Sequence, residues 1–246
     1  MKIYGGKAGF NSVSFTGERY RSVARLKGGK IITVTERKKE DLKIIKVLSK
    51  VPFVRSFNLI VETVIESWKL FLFVTIVLLL MRVFFNEKTS VGLLYLIPSN
   101  RLVLLCSVLI IAGLIIKLSS VSKYHAAEHM CANTYDKSLN LTLDYIKNQS
   151  RVHKDCGTNL IISFFICFVI LFLVFGDTPW LILVAWSIGY ELWRSEPKVI
   201  WSLILIIGKI TQYVLYTSKP NEKHLLVAIA ALRELEKEEI RGNIET

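Results

Sequence analysis

The chain has 246 residues, a formal net charge of +12 and 52% hydrophobic residues, with a mean hydropathy of +0.44. It is too apolar for an ordinary soluble domain and too short for several large ones, so the composition points to one integral membrane protein. Met1 to Arg25 mixes charge with glycine, serine and aromatics and has no apolar core or small-residue cleavage site, so no secretory signal is expected and the amino terminus should stay in the cytoplasm.

Lys2 to Arg37 reads as a small β element, because Tyr20 to Leu26 and Lys30 to Glu36 flank the two-glycine turn Gly28-Gly29, a hairpin signal. A lone hairpin is unstable in water and needs helices to pack on. Arg37 to Lys50 is basic, with Leu42, Ile45 and Leu48 at helical spacing before Pro52 breaks the run. Phe53 to Trp68 suits a helix lying in the membrane interface, with Glu62 and Glu66 one turn apart as either a wet stripe or a functional pair.

Charge-free intervals then mark four spans: Leu70 to Met81, Leu102 to Ile116, Cys156 to Gly176 and Thr178 to Tyr190. Only the third reaches the roughly 20 residues that a hydrocarbon core asks for, so the others must borrow flanking residues or tilt. Val199 to Gly208 is short and interrupted by Lys209, which reads as an interfacial or re-entrant helix. Of 32 Lys and Arg residues, 29 fall outside the 82–101 connection, which puts both termini and the histidine-rich segment on the cytoplasmic side. After Pro220, Asn221 can cap a helix to about Arg241 that carries Leu225, Leu226, Ile229, Leu232 and Leu235 on one face.

The expected fold is therefore mainly α: a polytopic helical membrane protein of about four spans plus interfacial helices, with a small N-terminal β-hairpin element. Three parts are expected: a cytoplasmic hairpin and basic helix over 1–50, a membrane domain over 51–218 with a cytoplasmic His-rich segment at 119–158, and a cytoplasmic amphipathic helix over 219–246. Cys106, Cys131, Cys156 and Cys167 have no disulfide spacing logic and read as reduced thiols, Cys106 and Cys167 as apolar packing residues.

The chemistry concentrates in Tyr124-His125-Ala126-Ala127-Glu128-His129. Residues four apart share a helix face, so His125 and His129 can offer two imidazoles to one zinc or other divalent ion, with Glu128 beside them as proton acceptor. This H-x-x-E-H order inverts the H-E-x-x-H of zinc peptidases. Zinc needs at least one more ligand, for which His153, Cys156 and Glu191 are the candidates. Glu191 stands out because it directly follows a charge-free run. The competing account is structural, with histidines bonded to backbone or headgroups and Glu128 paired with a base such as Lys123.

Several motifs together resemble the YqhQ-like family of bacterial membrane proteins: Gly5-Gly6-Lys7-Ala8, Pro52-Phe53-Val54-Arg55, the His125 motif, Arg151-Val152-His153 with Cys156-Gly157-Thr158, Gly189-Tyr190-Glu191-Leu192, and Val227 to Leu232. The resemblance implies a metal-dependent enzyme and groups His125, Glu128, His129, His153, Cys156 and Glu191 as one set. The chain departs from the family pattern at Asn11-Ser12 and Thr16, and at Met130 where a lysine is usual.

Two functions follow from these readings. One is a membrane metal-dependent hydrolase. The other is a non-enzymatic biogenesis or scaffold factor whose basic cytoplasmic face contacts the ribosome, the protein translocation machinery or anionic lipid, since residues 1–69 hold 15 bases against 6 acids. Expected partners are the lipid bilayer, those assemblies and further copies of the chain as a homo-oligomer, with no specific DNA binding. A transporter fits poorly, because four short spans without a repeat leave little material for alternating access.

Overall fold

A computed structural model describes residues 1–38, 43–66, 68, 69, 72, 75, 76 and 101–244. Within them the chain is mainly helical behind an N-terminal sheet, and it divides into two compact units: residues 1–40, 109–159 and 202–246, and residues 41–108 with 160–201.

The first unit opens with four antiparallel strands in sequential order: β1 (Gly5–Gly9), β2 (Ser12–Thr16), β3 (Tyr20–Lys27) and β4 (Lys30–Arg37). The expected hairpin is β3–β4, and Gly28 and Gly29 both take positive φ, the requirement of a two-residue turn of type I′. The first two strands carry a weaker signal, because Gly-Gly-Lys-Ala-Gly has little strand propensity. In the β1–β2 register Gly6 faces Phe15 and Ala8 faces Val13. Val13 and Phe15 are fully buried, so this alternation defines the inner face.

Two helices cover that face: α4 (Val121–Asp136) and the C-terminal α9 (Glu222–Ile244), with the short α5 (Leu143–Lys147) beside them. Their core joins Val13, Phe15, Tyr124, Ala127, Leu232 and Leu235. The amphipathic C-terminal helix read from the sequence is thus the partner that lets the sheet stand. Asn221 supplies the first carbonyl acceptors of α9, while its own N–H donates to His224 Nδ1 at 3.0 Å, a reciprocal cap with histidine in the place usually held by Glu or Gln.

Helix α3 (Arg101–Leu118) ends at Ser119-Ser120, where the chain bends by 84° into α4. The serines make this corner possible, since Ser119 Oγ donates to the Ile116 carbonyl and Ser122 Oγ to those of Lys117 and Ser119.

The second unit holds α1 (Lys43–Leu48), α2 (Ser56–Glu66), α7 (Leu181–Ser195) and most of α6 (Gly157–Phe175), packed around Phe164, Phe168, Leu181 and Ala185. Gly189 of α7 lies where a Cβ would strike the Phe164 backbone, so the two helices meet at their main chains. Glu62 is exposed on α2, and the side chain of Glu66 lies outside the described residues.

Two described helices are long and apolar enough to cross a membrane, Gly157–Phe175 and Lys198–Tyr216; the bent pair α3–α4 would be a third. Four spans are therefore not shown: Leu70 to Met81 falls largely outside the described residues, and Thr178 to Tyr190 forms a helix of only 15 residues from Leu181. Val199 to Gly208, by contrast, belongs to a longer element, α8 (Lys198–Thr211), which continues into a π-turn (Gln212–Tyr216). Gly208 does not end the helix as the pattern suggests. It leaves room for the Asn159 side chain, which occupies the place of a Cβ, and the Lys209 stem can reach past apolar surface to a polar zone.

Candidate metal centre

Helix α4 is buried over most of its length because it packs on the sheet alongside α9, and it brings His125, Glu128 and His129 into the interior of the first unit. Tyr216 of the π-turn and the 150–156 loop meet it there.

The two imidazoles are held in the same tautomer. His125 Nδ1 lies 3.2 Å from the Tyr216 carbonyl and His129 Nδ1 lies 2.8 Å from the Arg151 carbonyl. A carbonyl only accepts, so each Nδ1 carries the proton and each Nε2 keeps its lone pair. The rings stand 4.3 Å apart between centroids. His125 Nε2 is 3.6 Å from Cys156 Sγ, and one donor atom from each of His125, His129 and Cys156 lies within 4.8 Å of the others. Three donors at that spacing could hold a metal ion, with a fourth position left open.

Glu128 adds a charge problem. Its Oε2 faces His129 Nε2 at 3.5 Å, one acceptor against another lone pair. That pairing calls for a proton on one partner or a cation between the two. Burial raises the Glu128 pKa to about 8, in line with the first option when no ion is bound. Burial also lowers His125 and holds His129 well below the usual range, His125 adding to the latter, so both rings are neutral and able to act as donors. The Cys156 thiol is pushed up to about 11, again mainly by burial, and a bound cation would be the means of ionising it. The centre is closed: His129 is 2%, Glu128 7% and Cys156 9% exposed.

The lid over Glu128 is Gly6 of β1, whose missing side chain is what admits the carboxylate. A glycine in Gly5-Gly6-Lys7-Ala8 is thereby tied to the acid of the histidine motif.

His153 stands apart from the trio. Its ring lies 5.9 Å from that of His129, but both its nitrogens are used: Nδ1 accepts the Asp155 N–H at 3.2 Å and Nε2 donates to Asp136 Oδ2 at 3.1 Å. No lone pair is left for an ion in this tautomer. Asp136, His153 and Asp155 also lie close enough together to be considered as a ligand group, at the surface, yet their hydrogen bonds already account for the arrangement.

Glu191 is not brought to the histidines. It belongs to the second unit, where its carboxylate receives both Arg55 guanidinium donors and, at 2.9 Å, the Phe53 N–H. Phe53 holds a positive φ of 66°, strain in a bulky residue that this grip sustains. Its carbonyl accepts from Ser56 and Ser187. Glu191 thus fastens the Pro52-Phe53-Val54-Arg55 turn to α7.

Sequence reasoning passed over Gln212. This buried amide accepts the His153 N–H at 2.9 Å and donates to the His153 carbonyl at 3.1 Å, gripping the peptides on both sides of one residue. Asn159 extends the clamp to the Lys154 carbonyl at 2.5 Å, and Asn133 Nδ2 lies 3.0 Å from the carbonyls of both Ser150 and Val152. Together they fix the loop that presents Cys156 and the Arg151 carbonyl. The available signal was a lone glutamine at the end of an apolar helix, polar where the pattern calls for none.

Residues 30–238 match the family described as "Protein of unknown function (DUF1385)". The chain is also similar to the uncharacterized protein YqhQ of Bacillus subtilis (strain 168), with 29% identity over 147 residues, which cover 55% of this chain and 46% of that protein. The alignment thus spans about half the length of that relative, and no solved structure matches. By the extent of the family match, this chain belongs to the DUF1385 family.

Proposed function

We propose that the chain is a multi-pass protein of the cytoplasmic membrane that holds one zinc ion on His125, His129 and Cys156 and uses it in hydrolysis. The observation that carries this reading is the shared tautomer: two main-chain carbonyls from different segments turn two Nε2 lone pairs toward one thiol. Zinc there would supply Lewis acidity toward a carbonyl and acidify a water. Glu128 is placed to accept that water's proton, and the low exposure of His129 and Glu128 excludes bulk solvent.

The four spans read from the sequence are kept, Leu70 to Met81, Leu102 to Ile116, Cys156 to Gly176 and Thr178 to Tyr190, with both termini and the metal centre cytoplasmic by charge.

Cobalt substitution tests the centre. A Co²⁺-loaded protein should show thiolate-to-metal charge transfer and tetrahedral d–d absorption, and Cys156→Ser should remove the first; a Co²⁺ spectrum with six-coordinate oxygen character would refute it.

A second reading keeps the ion and drops turnover. The closure of His129, Glu128 and Cys156 suits a structural ion that stiffens a scaffold, whose basic sheet would meet the ribosome, the translocation machinery or anionic lipid. Zinc content unchanged by Glu128→Gln, with no activity in either form, would favour it.

A further inference from the structure

Resting on the hydrolase reading, we propose that β1 is a built-in mimic of the substrate: an extended peptide segment with small residues at two alternate positions binds in its place, along β2 and over Glu128. In the register Gly6 and Ala8 stand opposite the fully buried Phe15 and Val13, Gly6 lying against Glu128, while the exposed Lys7 stands opposite Ser14. Any Cβ at residue 6 would run into the Glu128 carboxylate. The strand covering the acid is thus one in which a glycine faces the carboxylate and an alanine follows two residues later.

A comparison within the same unit separates this from ordinary packing. Gly17 meets the Glu239 carboxylate in a similar way, but Glu239 there accepts the N–H groups of Arg19 at 2.8 Å and Tyr20 at 3.0 Å, so it caps a turn. Among the described residues Glu128 receives no such main-chain donors; its polar neighbour is His129. A buried carboxyl without amide partners, beside the His129 imidazole and under the glycine of an edge strand, is placed for chemistry on what lies above it.

The strand is also the one best suited to leave. It is an edge strand of five residues, three of them glycine, and it pairs with β2 alone. Its departure bares the β2 edge from Ser12 to Thr16, which can pair with a new strand through main-chain hydrogen bonds while side-chain size is read at the positions of Gly6 and Ala8. In the reaction, water adds across the peptide bond: oxygen bonds to the carbonyl carbon, the C–N bond breaks, and Glu128 passes the proton to the departing amine.

The experiment uses the full chain carrying K7C and S14C, which join β1 to β2 when oxidised, and a fluorescent peptide of sequence Gly-Gly-Lys-Ala-Gly. Reduced, this protein should bind the peptide and discriminate against one with valine at those two positions. Oxidised, it should bind more than about tenfold more weakly, because locking depletes the competent state. Parent protein under the same redox treatment controls for the native thiols. Equal binding in both states, no binding in either, or no preference for the small residues overturns the proposal. Zinc content is measured in parallel, so a chain without zinc that still captures the peptide in a β1-dependent way fails the metal reading alone, whereas a zinc-loaded chain without such capture fails this one.

Discussion

Gln212 holds both main-chain polar groups of His153, at 2.9 and 3.1 Å, and through them the loop that delivers Cys156 to the histidines. A buried amide satisfied on both sides costs about 1–3 kcal/mol when truncated, because two peptide groups lose their partners at once. Gln212→Ala should therefore lower thermal stability by that order and weaken zinc retention against a chelator, while Gln212→Glu restores only the N–H contact. Unchanged retention in Gln212→Ala would separate the clamp from the centre.

Glu128 sets a pH dependence whose sign is fixed. Its pKa is raised in the folded state to about 8 from 4.5, so the metal-free folded chain binds a proton that the unfolded chain has lost between those values. Stability from this group is present below 4.5 and falls as pH rises toward 8. His125 and His129 are shifted down, so their contribution runs the other way and is lost as pH drops below 6.5. Between pH 6.5 and 8 the fall belongs to Glu128 alone among these three. Chelator-treated protein should lose stability across that window, by a few kcal/mol at most by order of magnitude, and Glu128→Gln should flatten the slope. A slope that survives the substitution would contradict the assignment.

Gly6→Ala should destabilise the first unit by about 1–3 kcal/mol, the ordinary range for an added methyl in a closed space. Gly5→Ala, where a Cβ meets nothing within 4 Å, serves as the control and should be far milder. Denaturant titration of the two variants reads the difference.

Glu191→Gln and Arg55→Ala should unfasten the strained turn at Phe53 and cost about 1–2 kcal/mol after discounting for partial exposure. Both should keep full zinc content. Loss of the ion in Glu191→Gln would return that carboxylate to the ligand set.

The contrast between Cys156 and Glu191 shows what the pattern of residues could and could not carry. Helical spacing put His125, Glu128 and His129 together, and a thiol at a helix entry joined them. His153 looked equivalent in type and proximity, but ligation turns on which ring nitrogen carries the proton, and that is set by Asp136 and the Asp155 amide rather than by spacing. Glu191 looked costly without a partner because its partner, Arg55, lies 136 residues away in the chain. The β3–β4 hairpin was legible from Gly28-Gly29. By contrast β1 was obscured by the glycines that let it lie on Glu128, and α8 by a glycine that serves Asn159.

The most direct test of the metal centre is the zinc content of the full-length chain purified in detergent without added metal or chelator. The account predicts about one zinc per chain in the parent, retained in Glu191→Gln and His153→Ala and lost in the His125→Ala, His129→Ala double variant, provided each is shown to be folded. A folded parent without stoichiometric metal, or a double variant that keeps it, would contradict the account.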